Sequence, residues 1–321
     1  MIVALLVIWV IGAVAGGWYA VQRNIPWPVA LAALPAFLIE IGFYYTLGVE
    51  GWRTRLEKKL PPWGIAIALT FAAAVPYTIA SLSLKTFEWQ TLGIISALAA
   101  VAAFWYVLLP HRPASDLLFL VFMAVMVLTR IFRNLYVSPH PKLPLYTLGQ
   151  LMWIRTGAFA LLSVRRVQGV GFGFWPGKRE WGIGALYFAA LVPVTAGVAW
   201  LIGFGRPHLP TSGWEKTPIV AVATFFGILW VVALGEEFFF RGLLQQWLGI
   251  WLHQEWAGLI LASLLFGSVH LWFQVFPNWR LAVLAAVAGV FYGVAFRHAK
   301  SIRASMVTHA LTVTTWRIFF S

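Results

Sequence analysis

The run from Gly235 to Leu248, GEEFFFRGLLQQWL, sets two glutamates and an arginine among phenylalanines and leucines, directly after the uncharged run PIVAVATFFGILWVVAL. A charge near the centre of a bilayer costs about 2.5–3.5 kcal/mol on insertion scales, so such residues mark candidate functional sites whose partners have to be found. Glu237 and Arg241 are four apart, share a helix face and can pair. Glu236 lies about 100° round the helix from Glu237 and cannot share that arginine equally. The pattern holds one carboxylate ionised beside a cation and leaves its neighbour for other work. Desolvation and like-charge repulsion both disfavour a second charge on adjacent carboxylates, the setting in which one of them can act as a general base on water. The same residues could instead form an ion-pair network at a membrane edge, if the helix ends near Phe240 and the side chains reach back to the interface.

Two histidines bear on that choice. His270 closes one apolar run, in FGSVHLW, and His309 sits in the middle of another, in MVTHALTVTTW. Either histidine alone reads as a hydrogen-bonded packing residue. Two on separate helices, downstream of Glu-Glu-x-x-x-Arg, form a constellation. Carboxylates and imidazoles converging between packed helices can activate water and stabilise a tetrahedral oxyanion. They can equally ligate zinc. The spacing is not that of His-Glu-x-x-His, where two ligands share one helix. The chain has no cysteine, which excludes thiol catalysis and thiolate metal sites.

In this order the residues resemble the motif set of the CAAX protease and bacteriocin-processing family of intramembrane proteases, to which the eukaryotic Ras-converting prenyl endopeptidase belongs. The matching elements are Glu236-Glu237-x-x-x-Arg241, Phe266-x-x-x-His270, and His309 within SIRASMVTHAL, and the resemblance covers roughly residues 215–317. It implies that Glu236, together with His270, activates the attacking water. It further implies that Glu237 pairs with Arg241 and shapes the site, and that His309 helps to bind the oxyanion. A glutamate–histidine water mechanism and a zinc mechanism both stand for the family. If one zinc ion takes part, its ligands here are Glu236, His270 and His309. One position departs from the pattern: the family carries Asn or Asp four residues after the last histidine, and this chain has Val313. Thr312 and Thr314 flank it, and Gln274 falls one turn beyond His270 if that helix continues. Loss of one oxyanion donor can cost about 10²–10³ in rate, which fits a slow enzyme or a non-catalytic relative.

Composition says what must position these residues. Of 321 residues, 61% are hydrophobic and 10% charged, against about 25% charged in an ordinary globular protein. Apolar runs of spanning or near-spanning length recur along the whole chain, and many of its 19 tryptophans lie near their edges. The expected fold is all-α, a polytopic integral membrane helical bundle of about eight to eleven transmembrane helices, because lipid requires each backbone group to pair within its segment. The N-terminal run MIVALLVIWVIGAVAGG lacks the basic start of a secretory signal and reads as an uncleaved first helix. The net charge of +13 sits in short connectors between apolar runs, as loops facing anionic headgroups carry it, so nucleic acid is not an expected partner.

The glycine-rich, basic connector RRVQGVGFGFWPGKREW marks the main boundary, dividing 1–170, an N-terminal accessory transmembrane region, from 171–321, an intramembrane protease core. The run at 148–163 is short, contains Arg155 and reads as interfacial, and the run at 116–131 is also short. If 148–163 does span, the basic residues favour even-numbered connectors and a cytoplasmic N-terminus; if it does not, that lean is lost. Glu40 is an intramembrane carboxylate outside the motifs and reads as a helix–helix hydrogen-bonding group. Gly182, Gly184, Gly289 and Gly293 read as sites of close helix packing.

The functional expectation is an intramembrane endopeptidase in a prokaryotic cell membrane, hydrolysing a peptide bond of a membrane-associated protein or peptide within a helix-walled cavity, with the lipid bilayer as its other partner. Two further readings stand beside it. Val313 motivates a non-catalytic membrane interaction or toxin-immunity protein on the same scaffold. Glu40, Glu236 and Glu237 motivate a transporter, though no pair of broken helices related by an inverted repeat supports it.

Overall fold

Proline in the first turn opens four of the long helices, where its missing N–H has no intrahelical partner to lose: Pro28, Pro62, Pro113 and Pro218. The computed structural model describes residues 2–210, 213–273 and 275–320. Gln274 lies outside the described residues. The described residues form helices α1 (Ile2–Gln22), α2 (Trp27–Gly48), α3 (Glu50–Lys59), α4 (Pro62–Ser83), α5 (Trp89–Leu108), α6 (Pro113–Leu128), α7 (Ile131–Leu135), α8 (Tyr146–Phe159) and α9 (Lys178–Leu201). There follow α10 (Thr217–Trp251), α11 (Glu255–Val269), α12 (Trp279–Ala299) and α13 (Ile302–Phe319). No named strand occurs among the described residues. Eight helices are long and apolar enough to cross a membrane, so the chain is a multi-pass membrane helical bundle at the lower end of the expected count. The helices α6, α8 and α13 are not among the eight, and with α8 not counted as a span the lean toward a cytoplasmic N-terminus loses its basis.

The chain divides into two compact units, Met1–Gln168 and Gly169–Ser321. In the first, α2 packs on α1, α4 and α8, and α4 and α5 form a hairpin. Arg155 in α8 is not interfacial. It is 1% exposed and donates from Nε to Glu40 Oε1 at 2.8 Å and from Nη2 to Glu40 Oε2 at 3.1 Å. Nη2 also reaches the Ala72 carbonyl at 3.1 Å, and the guanidinium lies 5.1 Å from the Phe43 ring centre. The planar fork of arginine matches both oxygens of a carboxylate, which is how two charges can be tolerated in a medium that solvates neither. Glu40 therefore joins α2 to α8 as the helix–helix hydrogen-bonding group expected, with Arg155 as its ion-pair partner. A second two-point pair, Arg165 with Asp116 at 3.0 Å and 3.0 Å, ties the end of α8 to α6. Hydrogen bonding to Asp116 holds the Arg165 guanidinium above its ordinary range.

In the second unit α9, α12 and α13 pack on one another, and α11 lies along α12. Small residues permit the close approach. A Cβ on Gly184 would stand 2.8 Å from the Ala304 carbonyl of α13, and one on Gly267 would stand 2.6 Å from the Ala282 carbonyl of α12. Gly289 faces Ser263 and Arg241 at 3.1 Å, and Gly293 faces Gln245 and Leu259. Gly182 meets nothing within 4 Å, so its lack of a side chain serves no packing contact.

Removing one member of the Glu40–Arg155 pair is expected to be far worse than removing both. Arg155→Met should destabilise the first unit by about 3–5 kcal/mol, the penalty of a buried unpaired charge. The double variant Glu40→Leu with Arg155→Met should recover most of that loss. Denaturant unfolding in detergent, followed by tryptophan fluorescence, compares the two.

Candidate active site

The charged run does not end a helix. It lies within α10, a continuous helix of 35 residues, well beyond the roughly 20 needed to cross the hydrocarbon core. Two widened π-type stretches, Ile228–Ala233 and Phe238–Gln245, bracket the α-helical turn Leu234–Glu237. Widened turns change which face the following residues present, and they recur where helices carry functional groups. The two glutamates, about 100° apart round that turn, differ in burial: the side chain of Glu237 is 0% exposed and that of Glu236 is 34% exposed. Arg241 is buried with Glu237, so the pair does not reach back to an interface.

Glu237 Oε1 accepts from two donors, Arg241 Nη1 at 3.1 Å and His309 Nδ1 at 2.8 Å. Arg241 donates from Nη2 to the Gly289 carbonyl of α12 at 3.1 Å, an approach that depends on Gly289 having no side chain. Its guanidinium lies 4.4 Å from the Phe266 ring centre and 5.2 Å from that of Tyr292. Cation–π attraction of this kind strengthens where water is excluded. A hydrogen bond from Nδ1 to a carboxylate leaves the Nε2 edge of His309 as the one turned to the site. Nε2 stands 3.8 Å from Glu236 Oε2, too far for a hydrogen bond. That Glu236 oxygen has no hydrogen-bond partner among the described residues.

The structure thus brings Glu236, Glu237, Arg241 and His309 into contact. His270 joins them indirectly. It stands in the short 3₁₀ turn that ends α11, with Nδ1 2.7 Å from the Phe266 carbonyl. No hydrogen bond links it to either glutamate among the described residues. Its ring packs on Phe266 at 4.8 Å between centres, and the edge of Phe266 in turn meets His309 at 5.9 Å. With Nδ1 donating to a carbonyl, His270 also keeps Nε2 as its working edge.

Sequence reasoning missed Tyr292. This buried tyrosine of α12 stacks on His309 with ring centres 4.8 Å apart and planes 15° apart, and it lies beside Thr312. A polar aromatic one residue before Gly293, in a helix of small side chains, was the available signal. At the end of α13, Thr312 donates to the Thr308 carbonyl of its own helix, whereas the buried Thr314 hydroxyl has no partner among the described residues.

The metal alternative can be examined on the donors. A tetrahedral zinc site requires at least three protein ligands about 2.0–2.1 Å from one point. Among the described residues no three His, Asp or Glu side chains are grouped in that way. Glu236 and His309 offer two neighbouring donors, but no hydrogen bond links His270 to either carboxylate among the described residues. The residues as arranged do not fit a zinc ion, and no step below passes through one.

The family model described as type II CAAX prenyl endopeptidase Rce1-like matches residues 218–315, the stretch from the start of α10 into α13 that holds all five motif residues. No curated protein and no solved structure matches the chain. The match falls on the same stretch as the resemblance to the CAAX protease and bacteriocin-processing family, and residues 218–315 are similar to the Rce1-like type II CAAX prenyl endopeptidases.

Stability should separate the two glutamates. Arg241→Leu leaves Glu237 buried without its cation and is expected to destabilise by about 3–5 kcal/mol. Glu236→Gln, at a partly exposed carboxylate with no bonded partner, should change stability by no more than about 0.5 kcal/mol. Melting temperatures of the purified variants measure the difference.

Proposed function

We propose that this chain is an intramembrane endopeptidase that hydrolyses a peptide bond of a membrane-associated protein or peptide. The observation that carries the reading is the division of labour between adjacent carboxylates. Glu237 is fully buried and held through Oε1 by Arg241 and His309, its Oε2 having no partner among the described residues, whereas Glu236 is partly exposed and keeps an unpartnered oxygen 3.8 Å from the free edge of His309. In the proposed reaction, Glu236 takes a proton from water, and the hydroxide attacks the peptide carbonyl carbon. Glu237 orients His309 through Nδ1, and His309, protonated at Nε2, donates to the oxyanion of the tetrahedral intermediate. The proton on Glu236 passes to the departing amine as the carbon–nitrogen bond breaks. His270 presents Nε2 as a second acceptor for the attacking water. Tyr292 holds the plane of His309 by stacking.

A second reading rests on Val313, which puts an apolar side chain four residues after His309, where the family pattern has Asn or Asp. On that reading the chain is a non-catalytic membrane interaction protein that retains the charged core for structure.

Turnover of reporter peptides decides between them. Glu236→Gln should reduce kcat by about 10²–10⁴ at unchanged melting temperature, and exhaustive chelation should leave the unsubstituted chain as active as before. Unchanged turnover in Glu236→Gln would sink the proposed base.

Val313→Asn restores a polar donor one turn from His309. It is expected to raise turnover, by up to about 10²-fold if the donor serves the oxyanion fully. Absence of cleavage by both the unsubstituted chain and this variant would favour the second reading.

A further inference from the structure

The first unit contains a cavity whose charges all have one sign. It is an open surface groove of about 440 Å³. Tyr19 and Arg23 at the end of α1, Arg133 of α7, Tyr136, Lys142 and Tyr146 wall it, and no aspartate or glutamate does. None of Arg23, Arg133 and Lys142 forms a salt bridge among the described residues. Aromatic rings flank the two arginines. Arg23 lies 5.7 Å from the Tyr19 ring centre, Arg133 lies 5.0 Å from that of Tyr146, and the Tyr19 hydroxyl donates to the Lys142 carbonyl at 3.1 Å. Tyr136, only 4% exposed, contributes to the wall as a buried ring. Three cations lining one groove with no acidic residue among its walls give it a positive potential that attracts anions.

Position narrows the class of anion. The apolar span of α1 ends at Gln22, so Arg23 stands where the hydrocarbon meets the headgroups. Val14, Trp18 and Val21 are exposed along the helix leading to it, a surface on which acyl chains can lie. Basic pockets between helices at this depth suit anionic headgroups. We propose that this cavity binds the phosphoryl headgroup of an anionic phospholipid, with its acyl chains along α1. The site is independent of the hydrolytic reading above.

The test uses the full-length chain, delipidated in neutral detergent and titrated with short-chain phosphatidylglycerol while bound lipid is counted by native mass spectrometry. Phosphatidylglycerol should bind and phosphatidylcholine should not. The triple variant R23Q/R133Q/K142Q should weaken phosphatidylglycerol binding about a hundredfold, roughly fivefold for each cation compounded over three. Removing the same charge from α3, as R55Q/K58Q/K59Q, should leave binding unchanged. All three cavity cations are exposed, so the variant should melt as the unsubstituted chain does. K142Q alone, expected to weaken binding about fivefold, provides a milder check. Equal binding of phosphatidylcholine, or unchanged phosphatidylglycerol affinity in the triple variant, would overturn the proposal. Displacement of the lipid by inorganic phosphate at equal concentration would overturn the lipid assignment in favour of free phosphate.

Discussion

A carboxylate removed from water has to be met by positive charge, and Glu237 imposes that requirement on the whole second unit. Its oxygen accepts from Arg241 within α10 and from His309 of α13. Arg241 cannot serve it alone, because a guanidinium has five donors to place. It passes one to the Gly289 carbonyl of α12 and lies over the Phe266 ring of α11. Four helices thus converge on one buried ion pair. Each contact needs the next: without a glycine at 289, a Cβ would press on Arg241 at 3.1 Å.

The chemistry proposed for Glu236 follows from its neighbour's confinement. A base must be within reach of water, and Glu237 is fully buried with Oε1 committed to two donors. Glu236 has no bonded partner, and the imidazole edge nearest to it is held in orientation by Glu237, by stacking on Tyr292 and by the edge of Phe266. On the proposed mechanism, the residue that moves protons is separate from the residues that keep an imidazole still. Preorganisation of this kind is what makes fixed donors effective against developing charge.

The first unit meets the same requirement with different means. Glu40 and Arg155 lie far apart in sequence and close a two-point ion pair between α2 and α8. Arg155 looked interfacial because one cation in a short apolar run has no visible partner. Its partner lay 115 residues earlier, beyond any local pattern. Asp116 and Arg165 repeat the arrangement at the end of α8. In lipid, helix association has no hydrophobic drive, so packing of small residues and such polar contacts hold the helices together.

Local sequence determined what depends on neighbours along the chain. Apolar length and scarce charge specified a membrane helical bundle, proline placed helix starts, and the spacing of Glu237 and Arg241 specified their pairing, because residues four apart on a helix must be close. Gly184, Gly289 and Gly293 were legible as packing sites for the same reason that small residues are favoured between membrane helices, while Gly182 showed that composition does not say which face is occupied. Tertiary structure decided the rest. The widened turns of α10 on either side of the glutamates, and the burial of Glu237 against the exposure of Glu236, are reported by no period in the sequence. The stacking of Tyr292 on His309 and the indirect place of His270 arise only when α11, α12 and α13 meet. Side chains on separate helices are brought together by three-dimensional packing, and the distance between them is not encoded in their separation along the chain.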